Sequence, residues 1–496
     1  MPQVPGATGG TVPGCYGAAW LVDQGSAKAS AERPGSSPVL TFAGVGRMRV
    51  LLLATTTGYQ TRAFGDAAAR LGVDLVFATD RCHVLDDPWH DDAIPVRFYD
   101  EAASVAAILD AARARPIDGV LVVGDRPTVI AAEVMAALGL PGHPPAAARV
   151  ARNKQLTRER LRDAGLLVPW FIATSIAADA AVLASSLAFP CIVKPLALSG
   201  SRGVMRADDP GSFVAAFERL RTLLQSPDIR AERSDAHDAV LIEGFIPGRE
   251  YALEGLMQEG DLQVLALFDK PDPLDGPFFE ETIYVTPSAA PADEQAAIVD
   301  GIRRAAAAIG LRHGPIHAEC RVNAAGVFVL EVAARPIGGL CARALRFEKR
   351  GRESFRGDPP SLTPTRSSAQ IDANVDDKRG RESLEELLLR HALGEPTADW
   401  HREPDASGVM MIPIPRRGIF RRVDGVDDAR ATAGVDDVRI TAKPDQHLIP
   451  LPEGASYLGF IFAKGDTASA VTRALHAAQE RLRFHIDAEL PIIAAG

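Results

Sequence analysis

Lys194 lies inside the apolar run Cys191-Ile192-Val193-Lys194-Pro195, and Ser199-Gly200-Ser201-Arg202-Gly203 follows it. A lysine in a strand interior is costly unless it is paired. Small residues let backbone N–H groups converge on phosphate oxygens. A strand lysine followed by a glycine-rich loop therefore suits a polyphosphate clamp; the alternative is an edge lysine beside an ordinary hairpin. It is not a P-loop, because the lysine precedes the loop and no G-K-[ST] follows. A second chemical stretch is HAECRVNAAGVFVLEVAARPIGG, residues 317–339, which places Glu319 and Glu331 in apolar runs around Asn323-Ala324-Ala325-Gly326. A three-residue turn over Ala324–Gly326, with the glycine left-handed, predicts Asn323 opposite Val327 and Glu319 opposite Glu331. Period-2 alternation puts Glu331, Ala333 and Arg335 on one face. Like charges facing each other destabilise a sheet, and a shared divalent cation with oxygen ligands removes that cost. Arg335 is then placed for a phosphate or an oxyanion. Gly338 and Gly339 let backbone approach a ligand closely.

Two weaker signals flank these. Asn153-Lys154 opens a helical stretch, where a lysine is unfavourable for the helix dipole unless an anion is near. VLIEGFIPGREYALEG, residues 240–255, reads as strand, turn, strand. Extended backbone beside Phe245 suits an adenine edge, with Glu243 and Glu250 placed to accept from an amino group and ribose hydroxyls; an ordinary hairpin is the alternative.

The elements that must position these residues alternate between strand and helix. RVLLLATT, VDLVFATD and DGVLVVGD are continuous apolar strands, separated by the amphipathic YQTRAFGDAAARLG and EAASVAAILDAARA and followed by TVIAAEVMAALG. That pattern predicts a parallel, doubly wound sheet. No G-x-G-x-x-G opens the first helix, so a dinucleotide site of the usual kind is excluded. The third strand ends at Gly124-Asp125-Arg126, where such sheets bind ligands; Asp125 either caps the next helix or meets substrate. AAARVARNKQLTRERLRDAG reads as one helix leading into a strand-rich region. KRGRES occurs at both Lys349–Ser354 and Lys378–Ser383, and the polar stretch between reads as an insert; a functional lid is the alternative. SGVMMIPIP and SYLGFIFAKG read as strands of a last α+β region closed by the helix TASAVTRALHAAQERLRFHI.

Bulk composition narrows the classes. The 496 residues are 47% hydrophobic with a formal net charge of −10, a globular composition with room for several domains. Mild acidity argues against general nucleic-acid binding, and no apolar run reaches the about 18 residues that suggest a membrane span. The five cysteines form no C-x-x-C, which makes a disulfide framework or zinc site unexpected and the reducing cytoplasm the default. Residues 1–47 show no usable periodicity and no signal-peptide pattern; Met48, directly before the first strand, is the expected start of the native chain.

Taken in order, these constellations resemble the ATP-grasp superfamily of carboxylate–amine ligases over about residues 48–345. SGVMMIPIP, SYLGFIFAKG and FDKPDPLDGPFFEETIYVTPS look like its L-amino acid ligase branch. The resemblance implies an α/β protein with a Rossmann-like domain over 48–145, an ATP-grasp α+β domain over 146–345 and a small α+β domain over 383–490; from the residues themselves, 1–47 reads as a disordered or non-native extension and 346–382 as an inserted loop. The resemblance also implies ATP and Mg²⁺ (or Mn²⁺) as cofactors. Lys154, Lys194 and the Ser199, Gly200, Ser201 and Gly203 loop would hold phosphates. Glu243 and Phe245 would lie at the adenine, and Glu250 near the ribose. Glu319 and Glu331 would hold metal, and Arg335 would stabilise transferring charge. Glu281 would receive a substrate ammonium and Lys270 an anion, with His317, Gly338 and Gly339 also at the substrate. The implied reaction is ADP-forming amide synthesis from a small carboxylate and an amine through an acyl phosphate, with a homodimer compatible. A bicarbonate-activating, biotin-carboxylase-like enzyme and a non-catalytic ATP-binding protein are the alternatives. One departure stands out. The family often has Asn two residues after the second metal acid, and here Ala333 occupies that place; His317, opposite it, or a water fills the space.

Overall fold

The computed structural model describes residues 47–55, 59–80, 93–349 and 381–489. The N-terminal stretch before Arg47 and the body of the KRGRES insert lie outside the described residues.

Continuous apolar strands need cover on both faces, and the first sheet has it. Its order is Ala93–Pro95, Asp74–Thr79, Arg49–Ala54, Gly119–Val123, with every pairing parallel. Val50 to Leu53 are fully buried. Helices Tyr59–Leu71, Glu101–Ala114 and Thr128–Leu138 follow as the hydrophobic period predicts. The stretch read as one helix after them is two, Pro145–Arg152 and Lys154–Asp163. Asn153 divides them, because its side chain accepts from the N–H groups of Gln155 and Leu156 and so restarts the helix as an N-cap.

Two antiparallel sheets carry the rest of the site. One has the order Phe171–Ser175, Ala239–Gly244, Cys191–Pro195, Met205–Ala207. The other has eight strands in the order Gly326–Ala333, Gly314–Asn323, Arg249–Gln258, Asp261–Asp269, Ile283–Thr286, Ala406–Ile412, Gly459–Gly465, Val435–Ile440. The last α+β region is thus continuous with the central one, joined where Ile283–Thr286 pairs with Ser407–Met410. Its closing stretch is not one helix: Ala468–Gln479 is helical, and Arg483–Asp487 is a strand paired with Gly418–Asp424. No helix among the described residues is long and apolar enough to cross a membrane.

The ends of the expected 346–382 insert are ordered strand rather than loop. Arg346 pairs with Ser383 and Phe347 with Glu382, and the same strand pairs with Trp400–Arg402. Ser383, the last residue of the second KRGRES, caps the Leu384–Ala392 helix in a capping box with Glu386. A polar repeat read as loop chemistry is, at this end, helix-start chemistry.

That helix packs on the first sheet. Arg70 reaches Glu386 at 2.7 Å, and a Cβ at Gly119 would meet the Ala392 carbonyl oxygen at 2.7 Å. Beside this seam, the His313 and His391 rings stack at 4.4 Å. His143 Nδ1 accepts from the Arg312 N–H at 3.2 Å, and its Nε2 lies 3.2 Å from the Pro315 oxygen. Burial pulls His143 and His391 down to about 4. An unfolded histidine titrates near 6.5, so below that pH the unfolded chain takes up protons that the folded chain refuses. Stability should therefore fall as pH drops from about 6.5 to about 4, by on the order of 2–3 kcal/mol for each ring. Urea unfolding at stepped pH should show this fall, and His391→Leu should make it shallower. An unchanged slope in the variant would exclude His391 as a contributor.

Candidate active site

A cavity of about 660 Å³ opens where the three regions meet. The C-terminal end of the first sheet supplies Gly124 and Asp125, and the C-terminal region supplies Met411, Tyr457 and Phe460. Between them stand Lys154, Lys194, the loop residues Ser199 to Ser201, Phe245, Glu319, Glu331 and Arg335.

The acid hairpin keeps the expected facing pair by a different route. Asn323 pairs with Gly326, so the turn is the two residues Ala324-Ala325. The register then shifts between Glu319 and Cys320: Cys320 faces Val329, Glu319 faces Glu331, and Leu330 is extra. A bulge re-aims the strand after it. His317 faces Ala333, as predicted.

On the phosphate side, Lys194 is buried and paired with Glu243. Glu243 also takes the Arg158 fork, at 2.8 Å to Nε and 3.2 Å to Nη2. Burial pushes the Glu243 carboxyl up, but Arg158 and Lys194 outweigh it and hold it at about 2. Burial brings Lys194 down to about 8 against the pull of Glu243; beside an ionised partner it stays an ammonium at neutral pH. The carboxylate of Glu243 is therefore committed to two cations and is not the acceptor for an amino group that the sequence suggests. Lys154 Nζ donates to the Leu198 oxygen at 2.8 Å and lies 3.1 Å from Glu331 Oε2, which supplies the anion its helix position calls for. In the loop, Gly200, Ser201 and Gly203 all have positive φ (62°, 55° and 76°), a conformation uncommon for a serine. Ser199, Gly200 and Ser201 face the cavity, but Gly203 does not. Its N–H donates to the Pro452 oxygen at 2.8 Å, and Arg202 Nε donates to the Glu453 oxygen at 2.8 Å. Gly203 anchors the loop to the C-terminal region instead of binding phosphate. Phe245 lies under the Arg206 guanidinium at 4.2 Å and stacks on Phe279 at 6.5 Å.

Lys270 is nearly inaccessible and does not receive an anion. Its Nζ lies 2.8 Å from Glu250 Oε1, 2.9 Å from Glu281 Oε1 and 2.7 Å from Glu319 Oε1. Burial alone would lower this ammonium, and the three carboxylates raise it well above the usual lysine range. Glu250 also accepts from Arg321 Nε at 2.8 Å, so it is turned to these cations and not toward a ribose. The Tyr284 hydroxyl donates to Glu281 Oε2 at 2.8 Å. Glu281 is raised to about 7 by burial and then by Glu319. Partial burial also pushes half-buried Glu319 up, yet Lys270 and His317 hold it well below the usual range.

His317 Nδ1 lies 3.1 Å from Glu254 Oε2, and its Nε2 lies 3.8 Å from Glu319 Oε1. Glu254 is fully buried and accepts from the Ile337 N–H at 3.1 and 3.2 Å, which fixes the backbone just before Gly338 and Gly339. Arg335 grips Asp125 with Nε at 2.9 Å and Nη2 at 3.1 Å. Burial raises the Asp125 carboxyl, and Arg335 reverses that to a net lowering.

Sequence reasoning missed Arg158 and Glu254. Arg158 follows Lys154 by four residues and so shares its helix face. Glu254 follows Glu250 by four in a strand and so shares its sheet face. Those spacings are the signals that could have found them.

Glu319 and Glu331 fit a divalent cation. They face each other, both line the cavity, and their side chains keep 20% and 25% of their exposure, with the oxygen donors that Mg²⁺ takes. Glu250, Glu281 and Glu319 also offer oxygens within 4.8 Å of one another, but there the Lys270 ammonium already stands in the cation position.

Three family models match in chain order. They are the ATP-grasp N-terminal domain over residues 65–142, the ATP-grasp domain over 187–344 and the L-amino acid ligase C-terminal domain 2 over 410–487. The chain belongs to the ATP-grasp superfamily, and its C-terminal region is of the L-amino acid ligase type. It is 31% identical to carnosine synthase 1 of Gallus gallus over 260 residues, which are 50% of this chain and 27% of that one. It is 28% identical to the ATP-grasp enzyme fsqD of Aspergillus fumigatus over 298 residues, 56% of this chain and 50% of that one. The chain thus spans between a quarter and a half of the length of these relatives. The crystal structure of L-amino acid ligase from Bacillus licheniformis shares the fold, with a TM-score of 0.70 and 24% identity over 90% of this chain and 100% of that one.

Lys270→Met should leave three converging carboxylates without their cation. Removing one partner of a buried pair costs about 3–5 kcal/mol. Urea unfolding should show that loss, and millimolar Mg²⁺ or Mn²⁺ should restore part of it, stabilising the variant more than the wild type. Equal stability without metal would refute the role given to this ammonium.

Proposed function

We propose that the chain is an ATP-dependent, ADP-forming ligase that joins a small carboxylate, an amino acid, to an amine through an acyl phosphate. The observation that carries this reading is the convergence of Lys154, Lys194, Glu319, Glu331 and Arg335 on one cavity, in a chain whose C-terminal region is of the L-amino acid ligase type. The names of its relatives, carnosine synthase and L-amino acid ligase, point the same way.

In this reading Lys154, Lys194 and the N–H groups of Ser199 to Ser201 hold the ATP phosphates. Phe245 and the backbone after Glu243 receive the adenine. A substrate carboxylate oxygen attacks the γ-phosphorus as the bond to the ADP oxygen breaks. The amine nitrogen then attacks the acyl carbon, and phosphate departs. Arg335 meets the charge that builds on the transferred phosphate and on the tetrahedral carbon's oxygen; groups fixed in advance do this best. Glu319 and Glu331 would hold Mg²⁺ or Mn²⁺, which neutralises phosphate charge when bound. Gly338 and Gly339, on the cavity wall, leave room for the amino acid's backbone; Glu281, which the sequence offers for its ammonium, is already held by Lys270 and the Tyr284 hydroxyl. Cys191, Cys320 and Cys341 are buried free thiols, which supports a reducing compartment.

Purified chain with Mg-ATP and pooled amino acids should release ADP and phosphate in equal amounts, with a product one water lighter than the paired substrates. If no carboxylate and amine pair stimulates ADP release, the reading fails. Arg335→Met should lower kcat by about 10²–10³-fold while ADP still binds. Glu331→Gln should abolish turnover; retained activity would refute its metal role.

A further inference from the structure

We infer that Arg158 is a positioning residue that couples the phosphate-holding Lys194 to the metal-binding Glu331; this rests on the reading of the cavity as a nucleotide site. Arg158 is 1% exposed, among the largest side chains the fold buries completely. Its guanidinium does two things at once. Nε and Nη2 hold Glu243, the carboxylate on which Lys194 also rests. Nη1 donates to the carbonyl oxygens of Val329 and Leu330, at 3.0 Å each.

Leu330 is the extra residue of the bulge, and Glu331 follows it directly. A bulge interrupts the ladder and leaves its backbone short of partners, so these two donated hydrogen bonds set where the strand resumes. The helix that carries Arg158 also carries Lys154, one turn earlier and on the same face. Lys154 meets the Glu331 carboxylate, and Arg158 meets the backbone just before it. One helix face therefore holds both the carboxylate and the backbone of this metal acid. The same face reaches, through Glu243, the lysine on the phosphate side.

Only arginine suits this place. Its rigid fork presents five N–H donors in fixed directions, whereas lysine offers a compact ammonium. Arg158→Lys keeps the buried charge opposite Glu243 but cannot also span to both carbonyls. The bulge is then free to shift, and Glu331 with it. Arg158 touches neither nucleotide nor substrate, so its effect falls on metal binding and on turnover more than on the apparent KM for ATP.

The test is Mn²⁺ binding to the full chain in the presence of ADP, followed by electron paramagnetic resonance, for wild type and Arg158→Lys. Changes in groups that orient metal ligands typically cost about 10–100-fold in metal affinity, and that loss is expected here with the cooperative unfolding transition retained. A folded Arg158→Lys that binds Mn²⁺ as tightly as wild type overturns the inference. Should the variant fail to fold, hydrogen exchange on the wild type decides. ADP without metal should slow exchange across 326–333 if Lys194 and the bulge are coupled, and unaltered exchange there overturns the coupling. A wild type that binds Mn²⁺ with ADP but forms no amide defeats the ligase reading and leaves this inference standing. A wild type that binds no ADP defeats both.

Discussion

An ionised group taken out of water is held only by its partners, and Lys270 makes that constraint the frame of this site. Its ammonium touches carboxylates from three neighbouring segments of the eight-stranded sheet. Glu250 belongs to Arg249–Gln258, Glu319 to Gly314–Asn323, and Glu281 lies just before Ile283–Thr286. Lys270 itself follows Asp261–Asp269. Three like charges at that separation repel strongly in a poorly solvated place. One central cation turns the repulsion into a fixed geometry. Glu319, half of the facing acid pair, is thereby aimed before any ligand arrives.

The same compensation extends outward to groups that can exchange partners. Lys154 rests on Glu331, and Arg335 rests on Asp125 of the first sheet. In the free chain each of these cations is neutralised by an acid. In the proposed nucleotide site, a magnesium nucleotide would present charge of both signs and could take Lys154 and Glu331 apart without leaving either alone. A nucleotide without metal satisfies only the lysine and strands the glutamate. Under the proposed reading the arrangement would favour the metal–nucleotide pair over either component, by charge balance rather than by shape. Arg335 differs, because its partner comes from another part of the chain. The Arg335–Asp125 contact ties the segment after the acid hairpin to the end of the parallel sheet, where small ligands are commonly received.

What was legible in the sequence follows from range. Periodicity is local, so the parallel strands, most helices and the Glu319–Glu331 pair could be read from it. The pair was reached through the wrong turn: a two-residue turn plus one bulged residue consumes as much chain as a three-residue turn, so the count from acid to acid was preserved. Local reading failed where a single side chain changes the outcome. Asn153 splits one amphipathic helix into two by capping the second. Partners far apart along the chain were not legible at all. Arg158 and Glu243 are 85 positions apart, and Arg335 and Asp125 are 210 apart. Without those partners, Glu243, Glu250 and Lys270 looked available to ligands, because a charged residue in an apolar run reads as functional whether its counter-charge is a substrate or the protein itself.

Ala333 shows how that distinction settles a particular doubt. The ring facing it, His317, does not offer a free nitrogen to the space an asparagine would fill. Nδ1 is held by Glu254, and Nε2 faces Glu319. Burial would make the ring a weaker base, but Glu254, which accepts from Nδ1, and the nearby Glu319 carboxylate raise it to about 9. A ring protonated on both nitrogens has no lone pair for a metal. His317 instead supplies the buried Glu254 with a partner, and Glu254 in turn holds the Ile337 N–H that leads into Gly338 and Gly339. Ala333 is itself buried and stands off the cavity lining. In the proposed reading, the departure at this position would leave the two facing acids as the protein's own oxygen donors to a metal.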